Sequence, residues 1–155
     1  MSLLLILIVV ATALNGLLAG ISFDGALVKL PTRHRIGAVA YAAFARGNDL
    51  GNGIWVYPST AISAALLTIA ATIVAYVENA PATLLALLSV ATVLSIGHFL
   101  ATARAAPTML RVAKTPDDDA LLSPLLDRFA RWHAVRATLQ ALTFFALLGA
   151  IVVAR

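Results

Sequence analysis

The chain has 155 residues, 61% of them hydrophobic and 12% charged, with a formal net charge of +4 and no cysteine. Soluble domains are nearer half apolar and a quarter charged, and a fold this short has too little interior to hide so much apolar surface from water. Lipid removes that conflict, while the absence of cysteine excludes disulfides, thiolate metal sites and cysteine nucleophiles.

A helical span needs about 20 mostly apolar residues. The first is expected at 3–28, and its opening run carries no charge. Ala11-Thr12-Ala13 resembles a signal-cleavage site, but no basic residue precedes it and the apolar run continues past it, so a retained helix is expected. Gly16, Gly20 and Asp24 share one helix face. The two glycines read as close-packing positions, and Asn15 as an interhelical hydrogen-bonding group. A closely packed face turns Asp24 inward or towards a seam.

The connection that follows holds Lys29, Arg33, Arg35 and Arg46. Its 31–46 stretch is expected as a short helix with Ile36, Val39, Ala40 and Ala43 on one face. Asn48-Asp49-Leu50-Gly51-Asn52-Gly53 is expected to break it. The second span is expected at 54–77, the turn at Glu78-Asn79-Ala80-Pro81, and the third span at 82–103 with His98 inside it.

In the second long connection, Thr115-Pro116-Asp117-Asp118-Asp119 is a break and a helix start. Ser123-Pro124 is an alternative cap and first-turn pair. Leu121, Leu122, Leu125, Leu126 and Phe129 form an amphipathic stripe, from which one helix runs through the fourth span, expected at 132–154. Rising 1.5 Å per residue, that helix outruns the bilayer.

These runs lack barrel alternation, and only helices or closed barrels satisfy backbone groups in lipid. The expected fold is all-α: residues 1–155 form a single transmembrane domain, an integral membrane four-helix bundle. Ten of the eleven lysines and arginines fall in the two long connections. The positive-inside rule makes those connections cytoplasmic, with long helices extending beyond the bilayer there and both termini outside the cell membrane. The basic balance does not point to nucleic acid, because no basic helix or stacking motif accompanies it. No internal repeat argues for an inverted-repeat transporter.

Ionisable groups in or beside spans are costly and need a partner or a task. His98 reads first as a satisfied core histidine, and Arg131 and Trp132 as interfacial anchors. Phe129, His133, Arg136 and Gln140 fall on one face of the last helix, and Trp132 and Arg136 are spaced for a cation–π pair. The expected topology brings Asp24, His34, His98, His133 and Arg136 to one side of the membrane. Four-helix bundles build ligand sites from such facing side chains, so a shared pocket is expected there.

Three motifs together resemble the anthrone oxygenase-like family of small four-span membrane proteins. They are Asn15-Gly16-Leu17-Leu18-Ala19-Gly20 with Asp24 downstream, Gly53-Ile54-Trp55-Val56-Tyr57-Pro58, and Trp132-His133-Ala134-Val135-Arg136. The resemblance covers nearly the whole chain. It implies a membrane oxygenase or oxidoreductase, in some members oxidising an anthrone to an anthraquinone without a cofactor. By residue type, His133 or His98 fits the base, Arg136 the group that stabilises an anion, and Asp24 the residue that orients a histidine. Trp55, Tyr57 and Trp132 fit as faces for a flat hydrophobic substrate, with Gln140 as a polar contact inside the span.

No metal signature is present, although a metal-dependent version would use His34, His98, His133 and Asp24. The competing reading is a non-catalytic protein that binds membrane lipid or a hydrophobic small molecule, or a subunit of a larger membrane assembly. A small transporter would need a homo-oligomer, because four spans lack a continuous polar stripe.

Overall fold

The computed structural model describes residues 2–154, and among them the chain forms helices and no strands. Helix α1 (Leu3–Asp24) starts at Ser2, whose hydroxyl accepts from the Leu5 amide at 3.3 Å. It does not stop at its acidic end. A π-helical turn (Gly25–Lys29) carries it into α2 (Leu30–Ile36), giving a rod of 34 residues. The rod ends at Gly37, whose φ of +86° lies in a region that glycine enters without the Cβ penalty.

The break thus falls at Gly37, six residues inside the stretch expected as one helix. Resetting the chain there rotates the face that α3 (Ala38–Gly47) buries. Ala38, Tyr41, Ala42 and Ala45 are buried, whereas Ile36, Ala40 and Ala43 are exposed, and only Val39 of the expected face packs against the core. At the stretch expected to break the helix, a second π-helical turn (Asn48–Asn52) kinks at Gly51 and leads directly into α4 (Gly53–Val77).

The turn after α4 closes by backbone bonds from Asn79 to Tyr76 and from Ala80 to Ala75. Asn79 takes the left-handed conformation, φ +52°, that this helix terminator needs. Helix α5 (Ala82–Lys114) runs on through Pro107, eleven residues beyond the end expected for the third span. Helix α6 (Asp119–Val153) is capped by Asp118, whose carboxylate accepts from Ala120 N at 2.7 Å and Leu121 N at 3.4 Å. The earlier start therefore wins, and Pro124 lies inside the helix rather than in its first turn.

The four long helices pack as an antiparallel ring. α1 lies beside α4 and α6, and α5 lies beside the same two. Short α3 crosses the end where the long connections gather and packs on α5 and α6. Asp119, in the first turn of α6, accepts from the Ala38 and Val39 amides at 3.0 and 3.2 Å, satisfying the free donors at the start of α3. Arg46 closes the other end of α3. It pairs with Asp117 at 2.7 Å and donates to the Val112 and Thr115 carbonyls at the end of α5.

The packed interior has two main parts. At the end holding the termini, Ile8, Ala71, Ala75, Leu88, Leu147 and Ala150 interlock. At the connection end, Leu30, Tyr41, Met109, Val112, Leu122 and Leu126 do the same under α3. Polar pairs also staple the helices to one another: Asn15 to Thr68 at 3.2 Å, and Thr72 to Thr92 at 2.8 Å. Of the two glycines read as close-packing positions, only Gly16 is one, since a Cβ there would meet the Phe144 ring at 3.0 Å. Gly20 faces open space.

The outward surface is apolar at mid-helix. Leu17, Leu66, Val93 and Phe145 are 61–67% exposed on four different helices. All four rods are long and apolar enough to cross a membrane.

Candidate functional site: a polar-walled cavity

Where the two main core clusters fail to meet, the bundle encloses a cavity of about 310 Å³. Every long helix contributes to its wall. Most of the lining is apolar, and Phe44, Ile54, Ile62, Phe99 and Leu110 in it are exposed, so the rim is apolar as well. Two helices supply half of the polar lining: His98 and Thr102 come from α5, and His133, Arg136 and Gln140 from α6. The spacing of the last three places them on one face with Phe129, as the sequence predicts, and all four line the cavity.

The His133 ring is 6% exposed, and its centroid lies 5.4 Å from that of the Phe129 ring. Arg136 donates from Nη2 to His133 Nδ1. A guanidinium has no lone pair to offer, so Nδ1 must be the accepting nitrogen and the proton sits on Nε2. Nε2–H then donates to the Ser22 carbonyl on α1 at 3.2 Å. Both ring nitrogens are therefore engaged. Gly25 makes this approach possible, because a Cβ there would meet His133 Nε2 at 2.5 Å.

His98 is differently placed. The Gln140 amide nitrogen donates to its Nε2 at 2.8 Å, with the Thr102 hydroxyl at 3.4 Å, and its Nδ1 has no protein partner among the described residues. Gln140 is 3% exposed, and its Oε1 is buried without a hydrogen-bond partner. Turning that amide would offer the oxygen to a proton on Nε2 and leave Nδ1 as the basic nitrogen.

The opposite wall comes from segments outside the four apolar spans. Tyr41 on α3 and Asp49 on the second π-helical turn both line the cavity. Burial pushes the Tyr41 phenol up to about 12. Burial also raises the Asp49 carboxyl, against a hydrogen bond from Asn48 Nδ2 at 2.9 Å that lowers it. Tyr57 of α4 and Lys29 complete the polar lining.

The cavity gathers most, but not all, of the residues expected at the site. His98, His133, Arg136, Gln140 and Tyr57 line it. Asp24 does not, and instead pairs with Lys29 at 2.9 Å on a half-exposed edge. Trp55 is 79% exposed. Trp132 packs at the edge of the connection-end core, and the cation above its ring is Arg104, at 5.8 Å, rather than the Arg136 expected from spacing. His34 is exposed and borders a separate small pocket with Arg33 and Asp127. Among the described residues no three His, Asp or Glu side chains gather closely enough to hold a metal ion.

Among the lining residues not expected at the site, Gly25, Lys29, Tyr41 and Asp49 bear most directly on its packing and charge. The helical spacing of Ala38, Tyr41, Ala42 and Ala45 carries a signal for Tyr41. Asp49 sits in a run that reads as a loop. Compared with family models, with curated proteins and with solved structures, the chain matches none.

Proposed function

We propose that the chain is a multi-pass membrane protein whose cavity binds a hydrophobic small molecule taken up from the lipid. One observation carries this reading: an apolar-rimmed cavity of about 310 Å³ whose largely apolar lining holds a few polar groups, His98, Arg136 and Gln140 among them. Small-molecule sites are apolar clefts of this size in which a few polar groups fix orientation. The rim lies on a bundle whose outer face is itself apolar, so a ligand dissolved in the bilayer meets no polar barrier. The ten basic residues of the two long connections support a cytoplasmic position for that end of the bundle.

A second reading makes the site catalytic: an oxygenase acting on an anthrone- or quinone-like substrate. It is favoured by His98 and Arg136 lining one cavity, with a His98 nitrogen free of protein partners. His98 would remove a proton from the activated CH2 of an anthrone, and Arg136 would hold the resulting enolate oxygen. Dioxygen would then oxidise the carbanion, so that CH2 and O2 become C=O and water. His133 is the weaker base, because its accepting nitrogen already takes a hydrogen bond from Arg136.

Purified protein in mild detergent would be mixed with emodin anthrone under air while anthraquinone absorbance is followed. Under the oxygenase reading, oxidation exceeds background and falls by about 100-fold or more in His98→Ala, the usual effect of removing a general base. Saturable binding without acceleration would leave the binding role and remove the oxygenase. Neither binding nor turnover would count against both.

A further inference from the structure

Arg136 is a part-buried cation in the wall of an apolar cavity, and among the described residues no carboxylate contacts it closely enough to form an ion pair. Of its five N–H donors, one reaches His133 Nδ1, a neutral acceptor. Its Nε is buried and has no partner. The three ion pairs found among the described residues join Lys29 to Asp24, Arg33 to Asp127 and Arg46 to Asp117, so Arg136 is in none of them.

The other cation in the cavity wall, Lys29, is thus already paired. The acid in the wall, Asp49, accepts from Asn48 and makes no ion pair with Arg136. Withdrawing a charge from water without pairing it is costly, and a ligand that completes the pair offsets that cost. Beside it, the Gln140 amide is 3% exposed and has an oxygen with no partner. With the amide turned, Oε1 takes the His98 bond and the NH2 group becomes a second donor free for a ligand.

We propose that the cavity is a site for a hydrophobic carboxylate, whose two oxygens pair with the Arg136 guanidinium while its apolar body fills the space towards α4. The inference rests on the binding role above and names the class of ligand. A guanidinium presents parallel N–H bonds that match a carboxylate, and a Lys or a neutral donor does not reproduce that geometry. Asp49 works against such a ligand from the facing wall, so its charge limits the affinity.

The test uses two fluorescent probes of one shape, 9-anthracenecarboxylate and 9-anthracenemethanol, titrated into the full chain in neutral detergent at pH 7.5. The carboxylate should bind at least about tenfold more tightly than the alcohol, as a charge-assisted pair requires. Arg136→Gln should abolish that preference while the alcohol still binds, and Arg136→Lys should keep only part of it. Should Arg136→Gln fail to fold, Asp49→Asn provides a second readout, tightening the carboxylate several-fold and leaving the alcohol unchanged. Equal affinities in the unaltered chain, or a preference that survives Arg136→Gln, would overturn the carboxylate inference and leave the binding role intact. If neither probe binds, the binding role falls and the inference falls with it.

Discussion

His98 and His133 occupy facing helices 35 positions apart in the chain, and their ring nitrogens are used differently. His133 joins α6 to α1 through Ser22 and takes a second hydrogen bond from Arg136 on its own helix. His98 makes one strong side-chain contact, to Gln140. His133→Asn should therefore act mainly on stability, lowering the thermal midpoint in detergent by several degrees. His98→Asn should leave the midpoint closer to that of the unaltered chain and act on the bound ligand.

Gly25 sharpens the point, because its missing side chain is what lets His133 reach Ser22. Gly25→Ala should destabilise by about 1–3 kcal/mol through overpacking. Gly20→Ala, which adds a methyl group in open space, should be neutral or slightly stabilising. Thermal unfolding of the two variants side by side checks both, and equal losses would contradict the packing described.

The α6 part of the site was legible in the sequence, because Phe129, His133, Arg136 and Gln140 obey helical spacing. Asp24 and Trp55 were expected there on residue type and vertical level alone, which say nothing about rotation around a helix axis. For Trp55 that rotation follows the π-helical turn at Asn48–Asn52, whose extra residue shifts every later side chain and leaves no mark in hydrophobic periodicity.

At the scale of elements, α3 is the structural device that closes the connection end. It is short, and its own hydrogen bonds give a ten-residue helix little stability in isolation. It is held by Asp119 at its start, Arg46 at its finish and four buried side chains between. Tyr41 and Phe44 line the cavity from this helix, so its ordering and the shape of the site are linked.

Gly37→Ala forces a Cβ into the left-handed region and should cost about 1–2 kcal/mol. Arg46→Met removes the contacts to Val112, Thr115 and Asp117 and should cost about 1 kcal/mol, a modest value because Asp117 is largely exposed. Both should raise hydrogen exchange in residues 38–47 before they affect the bundle core. A uniform rise along all four rods would contradict an independently tethered α3. The sequence carried the helical character of α3 but not its start. Gly37 carries no sequence signal of the break, because its neighbours continue a helical pattern and its role depends on φ.

For the whole molecule, the number and order of the long helices were readable from apolar run length alone, and the ring of antiparallel neighbours follows from short connections at one end and tethered ones at the other. The rod ends at Val77, Ala82 and Asp119 were readable from the turn and cap residues, whereas the ends at Ile36 and Lys114 were not. Three of the rods overrun the apolar stretch by a turn or more, because helix continues wherever another helix covers its polar extension, as α3 does for α5 and α6. The orientation proposed from the basic residues has a clean test, since the chain contains no cysteine. Ser123→Cys should be labelled by a membrane-impermeant maleimide only after the cytoplasmic face is opened. Ser2→Cys should be labelled in intact cells.

The most direct test of the cavity as a ligand site is to fill it. Ala106 lines the cavity on α5, whereas Leu100, on the same helix, is 67% exposed and does not. Binding of 9-anthracenemethanol would be titrated by fluorescence for the unaltered chain, Ala106→Phe and Leu100→Phe. The expected result is saturable binding that Ala106→Phe weakens at least about tenfold, a loss of roughly 1.4 kcal/mol or more, and that Leu100→Phe leaves in place. Indistinguishable curves for all three proteins would mean that the probe sits in the detergent or on the outer face, and the cavity would not be the binding site.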